Sequence, residues 1–155
     1  MKSVSIYGRF VKSEDYPYIQ EIIDCLEERG LKVSVVEDYY NLIKENISFK
    51  VSPKLINSHE ELKNLSECVI SLGGDGTLLN LITLTRDSKI PIAGINMGRL
   101  GFLASISKDK IGKVIEEIST SSCKIENKSL IQLDSNKSLF NGINYAINEF
   151  AIHKK

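Results

Sequence analysis

The sequence has no tryptophan, only three prolines and only three cysteines. Cys25, Cys68 and Cys123 are odd in number and far apart, which excludes a disulfide framework and a zinc-ligand spacing. Cys25 falls in a helical pattern and Cys68 opens a strand, so both read as buried packing residues in a reducing cytoplasm. Neither sign of charge is in excess, with 20 Lys and Arg against 20 Asp and Glu. That balance argues against nucleic acid or an acidic membrane surface as a partner. No apolar run reaches membrane-spanning length, and the apolar stretch in MKSVSIYGRF is too short for a signal peptide. Internal repeats and low-complexity tracts are also missing.

What is present is a chain of 155 residues that is 42% hydrophobic, enough for a real core. Its length suits one domain and part of another. Val4–Tyr7 reads as a strand. Pro17 marks a helix entry, Ile19, Ile22, Ile23 and Leu26 share a helical face, and Gly30 supplies the stop. A second strand follows over Leu31–Val36, giving a β-α-β unit and hence a parallel sheet. A short helix is expected around Tyr39–Lys44, a polar surface loop over Asn46–Asn57, and a helical turn at Glu60–Leu65. Strands at Cys68–Leu72 and Ile90–Ile95 flank a helix running to about Arg86, and Lys108–Ile118 reads as a further helix. The fold class expected over residues 1–120 is α/β, a doubly wound, mostly parallel sheet. Residues 121–155 break the alternation. Lys124–Leu133 and Leu139–Ile152 read as the first strands of a β-rich domain.

The chain is organised around CVISLGGDGTLL, residues 68–79. An apolar strand stops at Gly73-Gly74-Asp75-Gly76-Thr77, and an apolar helical pattern begins at once. A strand, a glycine turn and a helix N-terminus together form an anion site, because backbone N–H groups and the positive dipole end converge there. Asp75 is the odd member, since a carboxylate repels phosphate; it points to a metal or a proton rather than to holding the anion. Asn96-Met97-Gly98-Arg99-Leu100-Gly101-Phe102-Leu103 follows the next strand, at the edge where open α/β sheets collect ligands. Asn96 both donates and accepts, whereas Phe102 taken alone reads first as a core residue. Asn148-Glu149 lies in a strand-like stretch, where polar residues usually face water. Arg9 and Lys12 follow the first strand at the same sheet edge. His59 reads as surface, and His153 as structural.

GGDGT resembles the signature of the NAD kinase family and of the diacylglycerol and sphingosine lipid kinases, and 6-phosphofructokinases carry a shorter GGDG. INMGRLGFLAS is similar to the N-x-G-x-L-G-F-L motif of NAD kinases, with Asn96, Gly98, Leu100 and Gly101 in place. The GTxND-type element of the lipid kinases does not occur. YAINEFAIHKK is similar to the NAD kinase ALNEVVIHR segment. The resemblance implies transfer of the ATP γ-phosphoryl group to the 2′-hydroxyl of the adenosine ribose of NAD, giving NADP. Asp75 would be the general base. Gly73, Gly74, Gly76, Thr77 and Arg9 would lie at the phosphates, with Mg²⁺ bridging them and no direct protein ligand assigned. Asp75, Gly76, Phe102, Asn148 and Glu149 would hold NAD. The resemblance further implies a homo-oligomer and leaves polyphosphate open as donor. NAD kinases also carry, after the NE segment, a β-rich domain with a second glycine- and threonine-rich element, which this sequence lacks. The expectation is therefore a fragment or truncated frame, inactive alone. A lipid kinase-like phosphotransferase and a non-catalytic nucleotide-binding remnant are the alternatives.

Overall fold

The computed structural model describes residues 1–137, 139, 144–147, 149 and 151. In chain order the elements are β1 (Ser3–Gly8), α1 (Tyr16–Glu28), β2 (Lys32–Val36), α2 (Glu37–Ile43), β3 (Lys54–Ile56), α3 (His59–Leu65), β4 (Cys68–Leu72), α4 (Asp75–Thr85), β5 (Ile92–Asn96), β6 (Ile106–Ser107), α5 (Ile111–Thr120), β7 (Ile131–Gln132) and β8 (Tyr145–Ala146). The first six strands form one sheet in the order β3-β2-β1-β4-β5-β6, and every neighbouring pair is parallel. This is the doubly wound α/β architecture expected. Its strand order reverses between β1 and β4, and in open α/β sheets ligands gather beyond the carboxyl ends of the strands at such a point.

Side-chain alternation builds the two faces. Val4 and Ile6 of β1 and Ile70 and Leu72 of β4 face the layer of α1 and α5, whose Ile19, Ile22, Ile23, Leu26, Ile111, Ile115 and Ile118 complete the larger core. Tyr7 and Val69 face the layer of α3 and α4, against Leu62 and Leu81. The same alternation brings serines into that second layer. Ser5 Oγ bonds Ser34 Oγ at 2.7 Å and also meets Ser66 Oγ, so these buried hydroxyls satisfy one another. Ser71 Oγ, equally buried, has no partner among the described residues. An orphaned buried hydroxyl costs about 1 kcal/mol or more. Ser71→Ala is therefore expected to leave the urea midpoint unchanged or raise it, whereas Ser5→Ala, which orphans its neighbours, lowers it.

Three elements differ from expectation. The 46–57 stretch contains an edge strand, β3, which carries only three residues and buries only Ile56. β6, two residues long, escapes a search for alternation. His59 opens α3 half-buried and bonds the Leu84 carbonyl at 2.8 Å through Nδ1, joining α3 to α4. Beyond α5, the described residues pair only as a short antiparallel ladder, Ile131 with Ala146 and Gln132 with Tyr145. Residues 124–130 are irregular, and much of the expected strand over 139–152 lies outside the described residues. β8 lies against α4. Cys68 is buried in the core, and burial pushes its thiol pKa up to about 12, as suits a packing residue.

Candidate active site at the carboxyl edge of the sheet

β4 ends at Leu72, and the chain turns through Gly73 and Gly74 into α4, which starts at Asp75. Gly73 has φ +151°, and a side chain there would collide with Thr77. Its N–H donates to the Ile95 carbonyl at 3.0 Å, tying the turn to β5. The Thr77 N–H donates to the Gly74 carbonyl at 3.0 Å and closes the first helical turn. Gly73 and Thr77 thus shape the loop, with their amides already engaged. The N–H groups of Gly74, Asp75 and Gly76 have no acceptor among the described residues. They sit at the N-terminus of an eleven-residue helix, where the helix dipole adds positive potential. Ideal Cβ positions at Gly74 and Gly76 meet nothing within 4 Å, so neither glycine is required here by a close neighbour.

The Asp75 carboxylate does not project freely into that space. Its Oδ2 accepts the Phe102 N–H at 2.8 Å, and its Oδ1 accepts those of Leu103 at 2.9 Å and Ala104 at 2.8 Å. Three successive amides form a cradle for the carboxylate. The amides of Ala104 and Phe102, together with that of Leu103, hold its pKa below the ordinary 3.8. The negative charge in the glycine loop is therefore compensated by amides of the β5–β6 connection. Gly101 makes the contact feasible, since a Cβ there would overlap the carboxylate. Because the shift is downward, the anchoring is complete above the ordinary carboxyl value and fades as pH falls below 3.8 through the depressed value. A pH titration of the amide resonances of Phe102, Leu103 and Ala104 is expected to show this joint transition.

Asn96 fixes the other end of the connection. It is 3% exposed, its Nδ2 donates to the Ala104 carbonyl at 3.2 Å, and its Oδ1 accepts the Gly98 N–H at 2.8 Å. Held at both ends, the connection presents Leu100 and Phe102 outward. Phe102 is 99% exposed, which overturns the core reading suggested by its type alone. An exposed aromatic ring offers a flat apolar face to whatever packs on it. Arg9 is exposed directly after β1, its guanidinium 5.4 Å from the Phe10 ring centroid, and Lys12 pairs with Glu14 at 3.7 Å.

The structure thus brings Gly73–Thr77, Asn96, Gly98, Gly101 and Phe102 to one edge, with Arg9 on the adjoining strand end. Glu149 is exposed, and Asn148 and His153 lie outside the described residues. Sequence reasoning missed the Asp75–amide cradle, which leaves no side-chain signature in residues 102–104. It also missed a cleft of about 210 Å³ lined by Tyr7, Val36, Asp38, Ile56, Asn57, Asn80, Thr83 and Leu84. An acidic residue just after the second strand was the available signal for that cleft.

Comparison with known proteins identifies the family of the chain. The chain is 34% identical over 154 residues to the NAD kinase of Christiangramia forsetii, covering 98% of this chain and 52% of that protein. It is 33% identical over 154 residues to the NAD kinase of Cytophaga hutchinsonii, covering 97% and 52% respectively. The chain therefore spans about half the length of the curated relatives it matches. In fold it resembles yeast NADH kinase complexed with NADH, with a TM-score of 0.73 at 22% identity over 96% of this chain and 47% of that one. It also resembles an NAD kinase from Archaeoglobus fulgidus in complex with ATP, with a TM-score of 0.53 at 19% identity over 85% of this chain and 40% of that one. The ATP-NAD kinase N-terminal domain family matches residues 4–123, taking in both the glycine loop and the β5–β6 connection, and the chain belongs to that family.

Proposed function

We propose that this chain serves ATP-dependent phosphorylation of NAD, with residues 1–120 forming the nucleotide-binding domain and residues 121–155 beginning a second, β-rich one. The reading is carried by the amides of Gly74, Asp75 and Gly76, without acceptors among the described residues, beside a fixed, charge-compensated carboxylate. The phosphates of ATP rest on those amides, and Arg9 approaches from the end of β1. Asp75 Oδ2 holds one amide and keeps a second acceptor direction, from which it takes the proton of the ribose 2′-hydroxyl as the new P–O bond forms. Its low pKa trades basicity for permanent ionisation and fixed position. Phosphoryl transfer tolerates that trade, because it depends mainly on alignment and charge neutralisation. Phe102 packs on a ring of the dinucleotide, and Asn148 and Glu149 hold its ribose and amide groups.

A divalent cation supplies neutralisation of the transferring group. Among the described residues no three His, Cys, Asp or Glu side chains cluster as a cage, and the Asp75 oxygens already face amides. No protein ligand is assigned to the cation, which would have to arrive with the donor nucleotide and would supply charge neutralisation there. No described helix is long and apolar enough to cross a membrane, and a cytoplasmic homo-oligomer is the proposed setting. The test is a chimera in which this chain replaces the first half of the Christiangramia forsetii NAD kinase, supplied with NAD, ATP and Mg²⁺. NADP formation supports the reading. A folded chimera that binds ATP and NAD without turnover contradicts it and favours a binding remnant.

A further inference from the structure

We infer that the nucleoside of the phosphoryl donor docks in the cleft at the carboxyl ends of β2 and β3, a site separate from the ring-stacking surface of Phe102. The inference rests on the proposed placement of the donor phosphates at the glycine loop. The cleft holds about 210 Å³, which suits a nucleoside-sized fragment and not a whole dinucleotide. Its walls divide by chemistry. Val36, Ile56 and Leu84 offer apolar surface to a base, while Tyr7, Asp38, Asn57, Asn80 and Thr83 offer polar groups.

Two of those polar groups are already oriented. The Tyr7 hydroxyl donates to Asn80 Oδ1 at 2.6 Å, which turns the Asn80 amide N–H groups toward other acceptors. Burial, together with the charge of Asp38, raises the Tyr7 pKa despite the opposing effect of Arg9, so the phenol remains a donor at neutral pH. Asp38 stands just after β2, at the place where dinucleotide-binding sheets of this strand order use an acid to hold a ribose hydroxyl. A carboxylate there repels phosphate and accepts from a diol, which sets the polarity of the ligand: sugar at Asp38, phosphates elsewhere.

The geometry of α4 connects the two places. Gly76, Asn80 and Thr83 fall at i, i+4 and i+7 and share one helix face. At 1.5 Å per residue, Asn80 lies about 6 Å and Thr83 about 10 Å along the axis from Gly76. A triphosphate seated on the Gly74–Gly76 amides can therefore run along this face and deliver its nucleoside to the cleft. Gly76 contributes no side chain to block the path, with nothing within 4 Å of its Cβ position. The shared face of α4 would thus link the phosphate loop to the cleft, with Asn80 and Thr83 belonging to both the face and the cleft wall.

The test is calorimetry of the 155-residue chain with ATP, tripolyphosphate and adenosine, each with Mg²⁺, on the native sequence and on the Asp38→Ala and Thr83→Phe variants. Asp38 is exposed and Thr83 half-buried on a helix surface, and circular dichroism checks that both variants fold. The expected result is ATP binding at least tenfold tighter than tripolyphosphate. Each variant removes that difference and leaves tripolyphosphate unchanged. Equal affinities for ATP and tripolyphosphate, both indifferent to the two variants, would overturn this inference while supporting the loop as a phosphate site. Absence of tripolyphosphate binding, with ATP binding still abolished by Thr83→Phe, would support the cleft and contradict the reading of the loop. Absence of ATP binding would overturn the inference.

Discussion

Asp75→Asn is expected to reduce NADP formation by the chimera by a factor on the order of 10²–10⁴, the usual contribution of a placed general base. The same substitution should alter the loop in a way that loss of a base alone would not. If the asparagine Oδ1 keeps the Leu103 and Ala104 amides, its NH₂ group replaces Oδ2 and meets the Phe102 N–H, donor against donor. Hydrogen exchange at Phe102 should accelerate well beyond that at Ile95 in the neighbouring strand. Slow turnover with an undisturbed Phe102 amide would confine Asp75 to proton transfer, whereas rapid exchange with full turnover would make it a positioning residue only.

Two glycines of the same loop should respond in opposite ways. Gly73 has φ +151°, and a Cβ there would strike the Thr77 side chain. Gly73→Ala is therefore expected to lower stability by about 2–3 kcal/mol, from backbone strain and the enforced displacement of Thr77. Gly76 lies in the first turn of α4 with open space at its Cβ position. Gly76→Ala should keep or raise stability, by up to about 1 kcal/mol. If the phosphates sit on this turn as proposed, the added methyl group crowds them, so ATP affinity is expected to fall at least tenfold. Urea denaturation and calorimetry on the two variants separate the roles. A stable Gly76→Ala protein with native ATP affinity would place the phosphates away from this turn.

The layered sheet could be read from the sequence because its signals are local. The apolar run Val69–Leu72 ending in glycines, and the helical face Ile19, Ile22, Ile23 and Leu26, each dictate an element without reference to the rest of the chain. β3 and β6 were not readable in this way. Their two or three residues become strands only because a neighbouring strand supplies hydrogen-bond partners. The glycine loop was legible as a sharp turn from a strand into a helix, yet the division of its amides into free and engaged ones was not. Whether an amide is free or engaged depends on the Ile95 carbonyl, a residue of another strand. Phe102 shows the limit of residue type as a guide. Its ring is exposed because Asp75 and Asn96 fix the backbone on either side, and those bonds are long-range in the chain. The Tyr7–Asn80 contact that shapes the cleft likewise joins residues from β1 and α4.

Three backbone amides at the start of α4 have no acceptor among the described residues, and the proposed phosphate site rests on them. Titrating tripolyphosphate into ¹⁵N-labelled protein tests it directly. The amide resonances of Gly74, Asp75 and Gly76 should move furthest and saturate together, while those of Gly73 and Thr77, already bonded within the protein, move less. Shifts centred on surface lysines, with these three amides unmoved at saturation, would contradict the account.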